Sequence, residues 1–136
     1  TSIEQVRKGG DATIFAYVHA AVSDFEQSAK SARKDLFNYA MADSYANMFR
    51  NAGFGEEIDA LRACHQNRDR EGALAAISDR MVQAIDFIGD ESAVTDFVAD
   101  YIKAGVQHPV LMPLPWGEDR AAVAHSTMAA AARAVE

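Results

Sequence analysis

The side chains best suited to catalysis or metal binding in this chain are its four histidines and its single cysteine. No two histidines stand at HxxxH spacing, and no histidine is followed by glutamate at HxxE spacing. Cys64 and His65 are neighbours that point about 100° apart on a helix, so they do not converge on one ion. No serine lies in a G-x-S-x-G elbow. The sequence therefore predicts neither a metal centre nor a serine nucleophile.

The segment GFGEEI at residues 53–58 begins like the glycine-rich fingerprint of dinucleotide-binding folds. Ile58 stands where the third glycine would be, and no strand is predicted before Gly53, so the motif fails. We interpret Gly53 as the end of one helix, and Glu56 and Glu57 as first-turn acidic residues of the next. The segment is therefore structural and is not a phosphate-binding loop.

Three residues remain as candidates for a substrate pocket: His19, Tyr45 and Trp116. His19 lies near the carboxyl end of a predicted strand, where α/β folds place their chemistry, although a histidine there can also be a structural residue. Trp116 lies on a loop between Pro115 and Gly117, which suits a pocket wall or an interface. Tyr45 belongs to a group of aromatic and methionine side chains whose helical spacing is also typical of a core. That group is Tyr39, Tyr45, Met48, Phe49 and Phe54.

Composition and charge narrow the class of protein. Hydrophobic residues at 49% and charged residues at 24% are typical of a globular domain, and no run of about 18 apolar residues suggests a membrane span. The net charge of −7 repels phosphate backbones and anionic lipids, which argues against nucleic-acid and membrane partners. One cysteine makes no intrachain disulfide, so we expect a cytoplasmic protein.

The order of helical and strand patterns predicts a helix-dominated α/β fold in a single unit, residues 1–136. Residues 1–22 give a helix end and a strand near 12–20 that is apolar on both faces, so we expect cover on both sides. Residues 23–86 give a helical block with a break near 41–43 and one continuous helix over 69–86. Residues 87–136 give strand, helix, strand and helix, with strands near 86–88 and 109–112.

Residues 88–115, IGDESAVTDFVADYIKAGVQHPVLMPLP, resemble the C-terminal portion of the bacterial-luciferase-like flavin- or F420-dependent oxidoreductases. In that family a glycine with a nearby acidic residue precedes an amphipathic helix, then Ala-Gly-Val and a V-L-M-P strand. Upstream, YVHAAVSDFEQSAKSAR is similar to the family's strand and following helix. NYAMADSYANMFRNAGFGEEIDAL resembles the helical insertion of some members.

The resemblance implies the C-terminal part of a (β/α)8 TIM-like barrel with a helical insertion. It is incomplete as a barrel, because a barrel takes about 250 residues and this chain supplies at most three strands. The missing strands are expected before Thr1. The implied parent is an oxidoreductase or monooxygenase that acts on a small molecule with FMN or F420. The earlier strands would hold the cofactor, so no cofactor-binding residue and no cofactor are expected for this chain alone. His19, Tyr45 and Trp116 would line the substrate side of the parent's pocket.

Two hypotheses follow. The chain is either a fragment of such an enzyme, inactive alone, or a non-catalytic, self-assembling helical module derived from that scaffold. In both cases apolar surface left open by the missing strands predicts a homo-oligomer. We expect the sheet edges and the stripe of Phe97, Tyr101 and Leu111 to be buried between identical chains.

Overall fold

A small sheet with helices on one side organises the first and last parts of the chain, and helices alone fill the middle. The computed structural model describes residues 2–136. The elements, in chain order, are α1 (Ser2–Lys8), β1 (Phe15–Val22), α2 (Phe25–Ala40), α3 (Asp43–Phe49), a π-helical turn (Arg50–Phe54), α4 (Gly55–Gln66), α5 (Arg70–Ala75), α6 (Asp79–Ile85), β2 (Asp86–Gly89), α7 (Glu91–Lys103), β3 (His108–Pro113) and α8 (Arg120–Arg133). A helix-dominated α/β fold is thereby confirmed.

The sheet belongs to a compact unit made of residues up to Asp24 and residues 87–136, here called the sheet unit. The strand order is β2-β1-β3, and β1 and β3 are parallel, with Phe15 opposite His108 and Ala20 opposite Pro113. If each strand paired with the next one in sequence, as in a regular barrel, the order would be β1-β2-β3. Here β3 pairs with the eight-residue β1, which offers more backbone hydrogen bonds than the four-residue β2.

Helices α7 and α8 cover one face of this sheet. Val18 packs with Val98 and Ala131 in one buried cluster, and Ala20 packs with Val94 and Ala130 in a second. The stripe of α7 and β3 side chains expected between copies packs on the first cluster and is partly buried. Its burial between identical chains stays a prediction. The stripe consists of Phe97, Tyr101 and Leu111.

The other face of β1 is open over its first half. Phe15 is 64% exposed and Tyr17 is 69% exposed, whereas Val18 and Ala20 on the covered face are fully buried. Within this chain the strand is therefore covered on one side over its first half, and cover on the other side stays a prediction. Both faces of β1 carry apolar side chains, but only the face with the small side chains packs against α7 and α8.

The middle of the chain, residues 25–86, forms a second compact unit, here called the helical unit. Its core consists of the fully or almost fully buried Leu36, Ile58, Leu61, Ile77 and Met81. The predicted break near 41–43 is confirmed, since α2 ends at Ala40 and α3 begins at Asp43. That residues 1–136 fold as a single unit stays a prediction.

The helix predicted over residues 69–86 is two helices, which corrects the prediction. α5 ends at Ala75 and α6 begins at Asp79, with Ser78 as its N-cap. The Ser78 hydroxyl accepts the Met81 N–H at 3.1 Å and donates to a Glu57 carboxylate oxygen at 2.8 Å. A serine that caps a helix favours non-helical backbone, so the helix is interrupted at Ser78. The periodic spacing of apolar side chains continues across this interruption and therefore does not reveal it. Among residues 2–136, no helix has the length and apolar character that a membrane crossing requires.

Candidate functional site

His19 and Trp116 lie at the same end of the sheet unit, the carboxyl end of its strands. His19 is in β1, directly opposite Met112 of β3, and is half-buried. The backbone continues from β3 in register, because Leu114 N–H donates to the Ala20 carbonyl at 2.8 Å. Trp116 follows two residues later and is also half-buried. The parallel register therefore brings a histidine and a tryptophan to the carboxyl end of the strands, where α/β folds bind their ligands.

A tight turn holds the loop that carries Trp116. The Trp116 N–H donates to the Leu114 carbonyl at 2.8 Å, so the chain reverses between the two residues. Gly117 then has φ of 120°, a conformation that L side chains rarely adopt. A Cβ added there would lie 3.5 Å from the Ser23 hydroxyl oxygen, so the loop passes close to the carboxyl end of β1. The glycine lets the turn place Trp116 beside the strand end.

The uncovered side of β1 and β3 forms a continuous surface, here called the open face. It carries one side chain from every second position of each strand: Phe15, Tyr17, His19, His108, Val110 and Met112. Phe15 and His108 stack with ring centroids 4.6 Å apart and ring planes 22° apart. Val110 is 37% exposed and Met112 is 43% exposed. No side chain of this face is acidic, lysine or arginine, so it suits an uncharged, flat or apolar molecule.

Tyr45 lies in the helical unit, on α3, with its side chain 42% exposed. Its ring centroid is 4.9 Å from that of Tyr39 and 6.3 Å from that of Phe49. The negative charge of Asp35, followed by burial and by the charges of Tyr45 and Asp86, raises the pKa of Tyr39. Tyr45 therefore belongs to an aromatic cluster at the surface of the helical unit, and its role in a substrate pocket stays a prediction.

The helices that follow β2 and β3 do not fit the phosphate of FMN or F420. The Asp90 carboxylate caps α7 by accepting the Ala93 N–H at 2.8 Å, and the Asp119 carboxylate caps α8 by accepting the Ala122 N–H at 2.9 Å. A phosphate at either helix start would meet an occupied N–H donor and a like charge. The residues present therefore lack a phosphate site at both helix starts.

The described residues contain no group of metal ligands, and a groove on the sheet unit lies away from His19. Within residues 2–136, no three histidine, cysteine, aspartate or glutamate side chains are grouped closely enough to hold a metal ion. A groove of about 640 Å³ lies at the amino end of β1, between α1 and α7. Apolar side chains such as Ile3, Val6 and Phe97 line it together with Tyr101, and burial raises the pKa of the Tyr101 hydroxyl. It is at the opposite end of β1 from His19.

Sequence reasoning missed the open face, although a signal for it was present. Along β1 the large side chains fall on odd positions (Phe15, Tyr17) and the small ones on even positions (Ala16, Val18, Ala20). Both sets are apolar, so hydropathy alone does not separate them. The difference in size does, because two helices packed closely on a strand leave room only for small residues.

Fold and site together define an α/β protein with helices on one face of a parallel pair of strands and with His19 and Trp116 at the strands' carboxyl ends. The model of the family described as luciferase-like monooxygenase matches residues 3–108, and the chain belongs to this family. The resemblance seen in the sequence is thereby confirmed at the level of the family. The match ends at His108, so most of β3 and all of α8 lie beyond it. Neither the curated proteins nor the solved structures gave a significant match.

Proposed function

We propose that this chain is the C-terminal part of a luciferase-like flavin- or F420-dependent monooxygenase or oxidoreductase, and that it is inactive alone. The chain would supply one wall of a small-molecule substrate pocket in a cytoplasmic enzyme. Family membership supports the reaction class, and the single cysteine supports the reducing compartment.

The observation that carries the proposal is the one-sided cover of the sheet. Helices α7 and α8 pack on one face of β1 and β3, while Phe15, Tyr17, Val110 and Met112 remain exposed on the other. In a (β/α)8 barrel the helices form the outer ring, and the inner face of each strand is covered by strands across the barrel. A piece of such a barrel would show this asymmetry.

The cofactor would be held mainly by other parts of the parent. FMN or F420, when bound, supplies hydride transfer or oxygen activation. The capped starts of α7 and α8 do not suit its phosphate, so this chain's contribution is the substrate side, with His19 and Trp116 at the strand ends. We assign Tyr45 to the same pocket because it lies in the segment that resembles the helical insertion of some family members.

Titration of the isolated chain with FMN and with F420, followed by cofactor fluorescence, tests the inactive fragment. We expect no binding tighter than about 100 μM, because a phosphate site and most of the barrel are lacking. A dissociation constant near 1 μM or below would overturn the assignment. Sequencing of the gene around the coding segment supplies the second test, since a parent of about 300 residues is expected.

Steady-state kinetics of the parent tests the pocket residues. Alanine at His19, Tyr45 or Trp116 is expected to raise KM or lower kcat for the substrate. His125→Ala is the matched control, because His125 is an exposed histidine on α8. If all three substitutions leave both constants at the control value, the residues serve packing only.

The second candidate function is a non-catalytic, self-assembling module that retains the scaffold of the family. The exposed apolar side chains of the open face favour it, because such a surface is a typical place for association. A reading frame that encodes only these 136 residues would support this candidate and exclude the first.

A further inference from the structure

The free edge of β3 is protected against the addition of another strand. His108 N–H donates to the Ile14 carbonyl at 3.1 Å, and Leu114 N–H donates to the Ala20 carbonyl at 2.8 Å. Since backbone groups alternate along a strand, the N–H groups at positions 108, 110, 112 and 114 point towards β1, and positions 109, 111 and 113 face the edge. Two of those three edge residues are Pro109 and Pro113, which have no N–H.

A partner strand at this edge would therefore find one backbone donor, the N–H of Leu111. Proline on an edge strand is a common means of preventing edge-to-edge pairing. Strand pairing between copies at this edge is therefore disfavoured, and burial of the sheet edges between identical chains stays a prediction. Association through a face of the sheet does not depend on this edge.

We infer that the isolated chain forms a weak, symmetric dimer in which the open faces of two copies pack against each other. This inference rests on the proposed function, because it assigns the surface that a missing barrel interior leaves exposed. The occupant is a second copy because the face is self-complementary: apart from His19 and His108 its side chains are Phe15, Tyr17, Val110 and Met112, and two copies bring no carboxylates, lysines or arginines together. A charged partner would lose hydration against it without gaining an ion pair.

The exposed area sets the strength of the contact. Phe15 and Tyr17 are about two-thirds exposed, and Val110 and Met112 about two-fifths exposed. Since a fully buried aromatic side chain covers roughly 150–250 Å², these four side chains offer about 400 Å² per copy. The total of about 800 Å² lies below the usual 1,200–2,000 Å² of stable complexes. Such a small contact is typical of weak association, so we expect a dissociation constant on the order of 10 μM to 1 mM.

Sedimentation velocity from about 10 μM to 1 mM tests the dimer. The double substitution of Phe15→Thr and Tyr17→Thr is expected to weaken association at least tenfold, because it removes both aromatic rings while keeping strand-compatible residues. Met128→Gln is the control, since Met128 is 50% exposed on α8 and lies outside the open face. A monomer at 1 mM, or equal effects of the double variant and the control, would overturn the inference.

Methyl NMR of the unmodified chain gives a readout that does not depend on whether a variant folds. The Met112 methyl signal is expected to shift with concentration, and the Met128 signal is expected to stay constant. The reverse pattern would place the contact on α8 and refute the open-face dimer.

Salt provides a further check on the kind of contact. Each copy carries a net charge of −7, so screening between about 20 and 300 mM salt should tighten an apolar dimer. Weakening by salt would indicate ion pairs and contradict the inference. The two proposals can also be refuted separately. A chain that stays monomeric and binds no flavin refutes the dimer and leaves the fragment assignment intact. A chain that forms the dimer and binds FMN with a dissociation constant near 1 μM refutes only the fragment assignment.

Discussion

A buried hydroxyl of α8 completes the hydrogen bonding at the carboxyl end of β1. Thr127 is fully buried, and its hydroxyl oxygen accepts the Val22 N–H at 2.8 Å while donating to the Val123 carbonyl at 2.6 Å. β3 ends at Pro113, opposite Ala20, so it has no residue paired with Val22. The side chain of Thr127 supplies the acceptor that the sheet lacks.

Thr127→Val keeps the shape of the side chain and removes this acceptor. An N–H left without a partner costs about 1–3 kcal/mol, and the added methyl group returns up to about 0.8 kcal/mol. We therefore expect the free energy of unfolding to fall by about 1–2 kcal/mol. Urea unfolding followed by circular dichroism measures it, and hydrogen exchange of the Val22 amide reports the lost bond directly.

Thr127→Ser is the matched control for this prediction. It retains the hydroxyl and loses one methyl group, so stability falls by a comparable amount while the Val22 amide stays protected. The readout that separates the two variants is therefore exchange and not stability alone. If the Val22 amide is as protected in Thr127→Val as in the unmodified chain, the capping role is refuted.

Three further predictions concern single side chains. Asp90→Ala removes the N-cap of α7 and should lower stability by about 1 kcal/mol in thermal unfolding, whereas an unchanged Tm would show that the cap is dispensable. Burial acts to raise the pKa of Glu57, but hydrogen bonds from Ser78, the backbone and Arg80, with the charge of Arg80, lower it overall. A carboxyl whose pKa is lower in the folded state stabilises above its unfolded pKa, about 4.5, and loses this contribution as pH falls through the folded pKa. Glu57→Gln should therefore flatten the acid side of the stability curve. Asp35→Asn removes the charge that contributes most to the raised pKa of Tyr39, so spectrophotometric titration should show that pKa falling towards 10.0, and no change would refute the assignment.

The sequence alone determined the elements whose signals are local. The α7 helix is an example: Asp90 at its start, an apolar period of 3.6 and Gly105 after its end all lie within one stretch of chain, and the structure has Glu91–Lys103 with φ of 105° at Gly105. The family was also readable, because its motif is a local pattern of residues. Ser78 shows the limit of prediction from a local pattern. The periodic spacing of apolar side chains continues across Ser78, although one helix ends before it and the next begins after it.

Only the tertiary structure decided which strands pair and which faces are covered. Strand pairing depends on how many hydrogen bonds distant segments offer one another, and β3 lies beside β1, which has eight residues, and not beside β2, which has four. The same pairing places His19 opposite Met112 and leads the chain past Ala20 to Trp116, so the candidate site is a product of register. Hydropathy likewise gave no means of choosing between the faces of β1. Close packing decided, because α7 and α8 fit against the small residues and leave Phe15 and Tyr17 outside.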